Sequence, residues 1–235
     1  LGDVYKRQRS RAALGLDPNQ SPADFLRAAG LSESEVMRFD TRQELTGNID
    51  FGLLKATPFL VGRFTAYDDS FEDFNGEDQS ERFFYAAGTR LSTQITSVNN
   101  TIESDFFDLH RTRHIIEPNV TVWYGGSTLN QTELPVYDDR VESLATGSTI
   151  RAGVTQTWQT QRGGPGRWRS VDWLTVSTDI VYSTDDVDRE SPIGRFFDWR
   201  PEYSFLGDYA TIDAAWQVTD SVALSTNYVY DLDIN

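Results

Sequence analysis

The feature that most constrains this chain is a period of two in its hydrophobicity that outlasts any ordinary soluble strand. In residues 111–126, RTRHIIEPNVTVWYGG, the apolar Ile116, Pro118, Val120, Val122 and Tyr124 occupy every second position, with Glu117, Asn119 and Thr121 between them. Side chains of an extended chain point alternately to opposite faces, so such a run carries one greasy face and one polar face. The same design recurs. Leu54, Ala56, Pro58, Leu60 and Phe64 share a face, as do Phe83, Tyr85, Ala87, Leu91 and Ile95. Ile150, Ala152, Val154 and Trp158 oppose Thr149, Arg151, Thr155, Thr157 and Gln159, and Leu174, Val176, Ile180 and Tyr182 oppose Thr175, Ser177 and Asp179.

The pattern delimits about eight strands. Their approximate bounds are Val36 to Leu45, Ile49 to Tyr67, Phe83 to Val98, Arg113 to Tyr124, Thr146 to Thr160, Ser170 to Tyr182, Tyr209 to Val218 and Val222 to Tyr230, with Trp199 to Phe205 as a candidate extension of the seventh. Runs this long exceed the roughly 5 or 6 residues of a typical soluble strand and match the roughly 9 to 11 that a tilted strand needs to cross a bilayer. The connections alternate as well. Gly47-Asn48, Arg162 to Arg167 and Thr219 to Ser221 read as tight turns, whereas Asp68 to Arg82, Gly125 to Ala145 and Ser183 to Arg200 are long and acidic. Short turns on one side and long loops on the other are the outer-membrane pattern. Asn99 to Thr112 is the exception, a connection on the short side that is not short.

Trp123, Tyr124, Trp158, Trp168, Tyr182, Trp199, Tyr228 and Tyr230 lie near strand ends, where interfacial girdles would place them; filling of a hydrophobic core is the competing reading. Pro58 and Pro118 fall inside strands and cannot donate to a ladder, so each should mark a bulge or a locally open edge.

Composition narrows the function. Against 36 acidic residues stand 21 basic ones, a net charge of -15, which opposes binding to nucleic acid. There is no cysteine, and the two histidines, His110 and His114, form no metal-ligand spacing. No apolar run is long enough for a transmembrane helix, a test to which alternating barrel strands are blind. No catalytic residue, metal site or cofactor is expected. Asp40 with Glu44 illustrates the carboxylate pairs any acidic chain offers, and His114 and Glu117 point to opposite faces of a strand. The acidic stretch Asp68 to Glu81 lacks the spacing of a calcium loop and reads as a solvated loop, with cation-bridged lipid phosphates as the functional alternative.

The expected organisation has three parts. Residues 1–8 are set aside, because DVYKRQ matches an in-frame translation of a sequencing-library adaptor. Residues 9–35 form a helical and loop segment, with Ser21 as cap, Pro22 in the first turn and Gly30 as stop of a short helix from Ser21 to Ala29. Residues 36–235 form an all-β, antiparallel up-and-down meander, part of a large transmembrane outer-membrane β-barrel. A narrow closed barrel of these strands alone fits poorly with so many charges on the polar side and with an end at DLDIN that lacks a closing aromatic. The expected lumen-facing residues are Arg38, Asp40, Arg42, Glu44, Arg90, Glu117, Asn119, Thr121 and Arg151. The expected lipid-facing residues are Ile116, Val120, Val122, Tyr124, Leu174, Val176 and Ile180. Alternating charges from Arg38 to Glu44 suit either guidance of a phosphorylated saccharide or pairing across strands.

RHIIEPNVTVWY (Arg113 to Tyr124), DDRVESLATGSTIRAGVTQTW (Asp138 to Trp158) and SFLGDYATIDAAWQVTDSVALSTNYVYDLD (Ser204 to Asp233), with RFDTRQEL (Arg38 to Leu45) beside them, resemble the barrel region of the LPS-assembly outer-membrane protein family, LptD. That family's periplasmic domain and cysteines are absent from this sequence. The resemblance implies a wide barrel in the outer membrane that takes lipopolysaccharide from periplasmic bridge proteins. It would pass the saccharide through its lumen and release the acyl chains sideways into the lipid bilayer. An LptE-type plug lipoprotein would fill the lumen, and no bond is made or broken. The alternatives are a porin-like solute channel and a secreted carbohydrate-binding β-sandwich.

Overall fold

A computed structural model describes residues 36–68, 79–129, 133–134, 136–184 and 195–232. The expected helix from Ser21 to Ala29 and most of the acidic stretch Asp68 to Glu81 lie outside the described residues. Ten strands follow one another: β1 (Arg38–Thr46), β2 (Ile49–Asp50), β3 (Leu54–Tyr67), β4 (Glu81–Thr93), β5 (Ile95–Ser104), β6 (Leu109–Ser127), β7 (Gly147–Arg162), β8 (Arg169–Ser183), β9 (Tyr209–Gln217) and β10 (Ala223–Asp231). All belong to one antiparallel sheet in the order β1-β3-β4-β6-β7-β8-β9-β10, with β2 paired to β3 and β5 to β6. With β2 counted as a continuation of β1 and β5 as a continuation of β4, every neighbour in the sheet is a neighbour in sequence, as a meander requires. Among the described residues no ladder joins β1 to β10, so the sheet has two free edges.

The two prolines account for the two strands off the main path, β2 and β5. Thr46 pairs with Phe59 and Ile49 with Ala56, so β1 and β2 are one strand in a single register, interrupted at Gly47-Asn48 opposite Pro58. Gly47 N–H still donates to the Pro58 carbonyl at 2.9 Å, but Pro58 has no N–H to return. Likewise Ser92 pairs with Asn119 and Ile95 with Ile116, so β4 and β5 keep register across a gap at Thr93-Gln94 opposite Pro118. The sheet therefore consists of eight long strands, two of them broken where a partner proline removes a donor.

Three sequence expectations need correction. The turn expected at Gly47-Asn48 lies instead at Phe51 to Leu53, where Gly52 adopts φ +82° and its N–H donates to Asp50 Oδ1 at 2.7 Å. The connection expected from Asn99 to Thr112 shrinks to Asp105–Asp108, because β5 runs on to Ser104 and β6 begins at Leu109. All four connections at that end are short, and the exception to the alternation disappears. Nor does Trp199 to Phe205 extend β9; Pro201–Tyr203 forms a 3-10 turn, tied off by a single bridge from Phe196 to Phe205.

Register sorts the side chains. Leu91, Val120, Ala152, Ile180, Ala210 and Tyr230 stand in one cross-strand row, and Arg90, Thr121, Arg151 and Val181 stand in the row on the opposite face. We call the first the open face, since Leu60, Tyr85, Val122, Tyr124, Ile150 and Tyr182 are exposed on it. The second is the covered face. Parts of the β6–β7 and β8–β9 connections fold back over it. Phe59, Val61, Phe84, Ala86 and Trp123 from the strands pack there against Leu144, Ala145 and Leu206 from those loops. Trp123 is thus fully buried on the covered face, not a girdle residue, because its position has the parity of Thr121 and Asn119.

Candidate functional site

The nine residues expected in a lumen, Arg38, Asp40, Arg42, Glu44, Arg90, Glu117, Asn119, Thr121 and Arg151, all lie on the covered face by register. The seven expected to meet lipid, Ile116, Val120, Val122, Tyr124, Leu174, Val176 and Ile180, all lie on the open face. What the strands do not announce is how the loops engage the first set.

Five arginines from β1, β3 and β4 stand together on the covered face, and the loops supply acceptors to all of them. Arg38 Nη1 donates to Glu142 Oε1 at 2.6 Å, and the Tyr67 hydroxyl donates to the same oxygen at 3.0 Å. Arg63 Nη1 donates to the Arg140 carbonyl at 2.5 Å. Arg82 donates to the carbonyls of Glu142, at 3.1 Å, and Val141. From the other loop, Glu202 Oε1 accepts from Arg42 Nε at 3.0 Å and Nη2 at 2.5 Å. Arg90 lies between the rings of Phe59, 4.1 Å away, and Trp199, 3.9 Å away, and donates to the Trp199 carbonyl at 2.7 Å. Phe59 can lie there because Gly88 has no Cβ to occupy the same space.

Glu142 and Glu202 are almost wholly removed from solvent, at 0% and 1% exposure. Burying a carboxylate is tolerated only when charge and hydrogen bonds compensate it, and here arginines do so. Glu142 also organises its own loop, since Asp138 N–H donates to its Oε2 at 2.7 Å within a single helical turn. The Ala145 N–H donates to the Glu202 carbonyl at 2.8 Å, which joins the two loops. Within the sheet, Asp40 accepts a fork from Arg63 at 2.8 and 2.9 Å, and Asp179 accepts one from Arg151 at 3.0 and 2.9 Å. The charges on β1 therefore pair across strands and with loops.

The open face is chemically the opposite. Between the row of Phe83 and the row of Trp158 it carries no Asp, Glu, Lys or Arg on any of the eight long strands. A largely apolar groove of about 1020 Å³ crosses it, bordered by Leu45, Leu60, Ala87, Val122, Ile150 and Tyr182, with Asp208, just ahead of β9, also on its border. Phe83, Tyr85, Tyr124, Tyr182 and Tyr230 sit toward the long-loop end. At the other end His114 stacks on Trp158, with ring centroids 4.4 Å apart, and Phe107, Trp173 and Trp216 cluster edge to face. Trp199 has left this arrangement for the covered face.

The short-turn end is held by Arg162, itself 1% exposed. Its guanidinium reaches Asp108 at 3.0 Å, Asp220 at 3.6 Å and the carbonyls of Gln217 and Val218 at 2.9 and 3.0 Å. Arg169 also contacts Asp220, at 2.5 Å, and this hydrogen bond holds the Asp220 carboxyl below its ordinary value.

Among the described residues no group of His, Asp and Glu is arranged to hold a metal, and no helix is long and apolar enough to cross a membrane. No protein-family model matches the sequence, and no curated protein matches it. The class of molecule is therefore defined by the fold alone: an all-β, single-sheet antiparallel meander with one face free of charge across its middle and one charged face partly covered by loops.

Proposed function

We propose that this chain is a segment of an outer-membrane β-barrel wall, with the open face against lipid and the covered face toward a hydrated interior. The single observation that carries the proposal is the charge-free open face with aromatics at both ends. Tyr124 and His114, ten residues apart on β6, bracket it, which corresponds to about 33 Å along the strand and about 25 Å of height at a tilt of about 40°. That is the height of the apolar band of such barrels. Water would gain nothing from a face built this way, whereas hydrocarbon demands it.

The work we propose for the barrel is insertion of lipopolysaccharide into the outer leaflet. This rests on the sequence resemblance of Arg113 to Tyr124, Asp138 to Trp158 and Ser204 to Asp233, with periplasmic bridge proteins and a plug lipoprotein as partners. A polar interior beside an apolar exterior suits an amphiphile with a charged sugar head. The arginines of the covered face also suit a channel for anionic solutes, which is the second reading.

Fractionation of cells expressing the full-length protein tests the wall. It is expected in the outer membrane, resistant to alkaline extraction; a monomer soluble without detergent overturns the proposal. Depletion separates the two activities. Accumulation of lipopolysaccharide in the inner membrane supports the exporter, whereas ion conductance with normal lipopolysaccharide delivery supports the channel.

A further inference from the structure

The covered face has a second half that the loops leave bare. Arg38, Arg42, Arg63, Arg82 and Arg90, on β1 to β4, are all engaged by loop groups. Across β6 to β10, by contrast, one cross-strand row runs Glu117, Thr155, Ser177, Asp213, Asn227. It carries two carboxylates, and among the described residues neither forms an ion pair. Their partners are neutral amides: Gln94 Nε2 donates to Glu117 at 3.1 Å, and Asn227 Nδ2 donates to Asp213. A groove of about 360 Å³ lies along this row, bordered by Thr175, Ser177, Asp213, Ser225 and Asn227 and by no loop residue.

Nothing in the adjoining rows cancels these two charges. The row toward the short turns, Ile115, Thr157, Thr175, Ala215 and Ser225, is uncharged. The row toward the long loops holds only Asp179, which the fork from Arg151 neutralises. Closer to the turns Arg113 and Asp172 share a row through Gln159 and offset one another. Depth gives the two carboxylates their weight. One residue along, on the opposite face, stands the row of Pro118, Val154, Thr178 and Ile212, near the middle of the charge-free band. A carboxylate without a counter-charge at that height, behind hydrocarbon, requires a water-filled space in front of it. Glu117 and Asp213 are three strand spacings apart, roughly 14 Å, so they are fixed charges along a path and not ligands of one ion.

We propose that β6 to β10 line a water-filled path that favours small cations over anions, with Glu117 and Asp213 as the residues that set this preference. Carboxylates spaced around a pore act in this way, by raising the local cation concentration and repelling anions. The inference rests on the reading of the covered face as the hydrated interior of a barrel. It reverses the solute sign of the channel reading, because the loops hold the arginines that would draw anions, whereas Glu117 and Asp213 stand outside their reach.

The test places the full-length protein, purified in detergent, in planar bilayers under a potassium chloride gradient. The reversal potential reads the potassium-to-chloride permeability ratio. Asp213→Asn and Glu117→Gln are each expected to lower that ratio about 2- to 4-fold at low salt, the effect of one unit charge on ions about 10 Å away in water. Asp213→Lys is expected to lower it further. At about 1 M salt, where the Debye length is about 3 Å, the differences should vanish, whereas a change in the shape of the path would survive. Retention of the β-sheet circular dichroism signal certifies that the variants fold. Variants that leave the ratio unchanged, or a membrane-inserted native protein that passes no ions, overturn this inference and leave the wall standing. A protein soluble without detergent overturns both.

Discussion

The guanidinium carbon of Arg90 lies over the indole of Trp199, 3.9 Å from its centre, and so a strand residue and a loop residue 109 positions apart form one cation–π contact. Because Phe59 closes the other side, the contact is shielded on both faces. Cation–π contacts contribute about 0.5 to 2 kcal/mol depending on desolvation. Trp199→Ala should therefore loosen the β8–β9 loop without unfolding the sheet. Hydrogen exchange is expected to accelerate in residues 195–206 while the β3–β4 ladder keeps its protection; equal acceleration in both would mean that the loop is part of the sheet's cooperative unit.

Arg162 predicts a coupling at the opposite end. It connects the turn at Asp108 with the one at Asp220, although these turns are far apart in sequence. Its partners at the carboxylates are more than half exposed, which limits their share, whereas the carbonyls of Gln217 and Val218 lose a buried donor outright. Arg162→Met should cost about 1 to 3 kcal/mol. The urea midpoint of the protein in detergent should fall, and exchange should rise in both turns at once.

The Asp220 carboxyl gives a pH dependence with a defined sign. Arg169, hydrogen-bonded to it, holds its pKa below the ordinary carboxylate value, and the Arg162 charge adds to this. A carboxyl lowered in the folded protein stabilises above its unfolded pKa of about 3.9, and the contribution vanishes as pH falls through the folded value. Asp220→Asn should lower the thermal midpoint slightly at pH 7, and the difference should shrink as pH falls through the carboxyl's lowered folded-state value. A difference that survives in acid would assign the effect to something other than charge.

The faces were legible in the sequence because a period of two needs no knowledge of neighbours. Pro58 and Pro118 were legible as ladder defects for the same local reason, a missing N–H. Gly47-Asn48 misled because glycine and asparagine favour turns, yet the same residues tolerate an interrupted ladder opposite a proline, and only the partner strand distinguishes the two. Trp123 shares parity with Thr121, so its burial on the covered face could have been read from position; its aromatic character pointed elsewhere. Glu142 and Glu202 could not have been found. Their arginine partners lie 104 and 160 residues away, and nothing in the local pattern of either loop marks one glutamate among many acidic residues.

The solvent against the open face can be measured with one charge placed at two depths. Ile212 is 47% exposed and stands in the row of Pro118, Val154 and Thr178, near the middle of the charge-free band. Tyr124 stands on the same face at its long-loop edge. In a bilayer, Ile212→Arg should destabilise by about 2 to 4 kcal/mol and Tyr124→Arg by about 0 to 1 beyond its lost packing, because the cost of an arginine falls with distance from the midplane. In water an arginine at an exposed strand position changes stability by less than about 0.5 kcal/mol wherever it is placed. Equilibrium unfolding of both variants in lipid vesicles is therefore expected to show a strong depth dependence. Equal, small effects would mean that this face meets water, and the barrel wall would have to be abandoned with it.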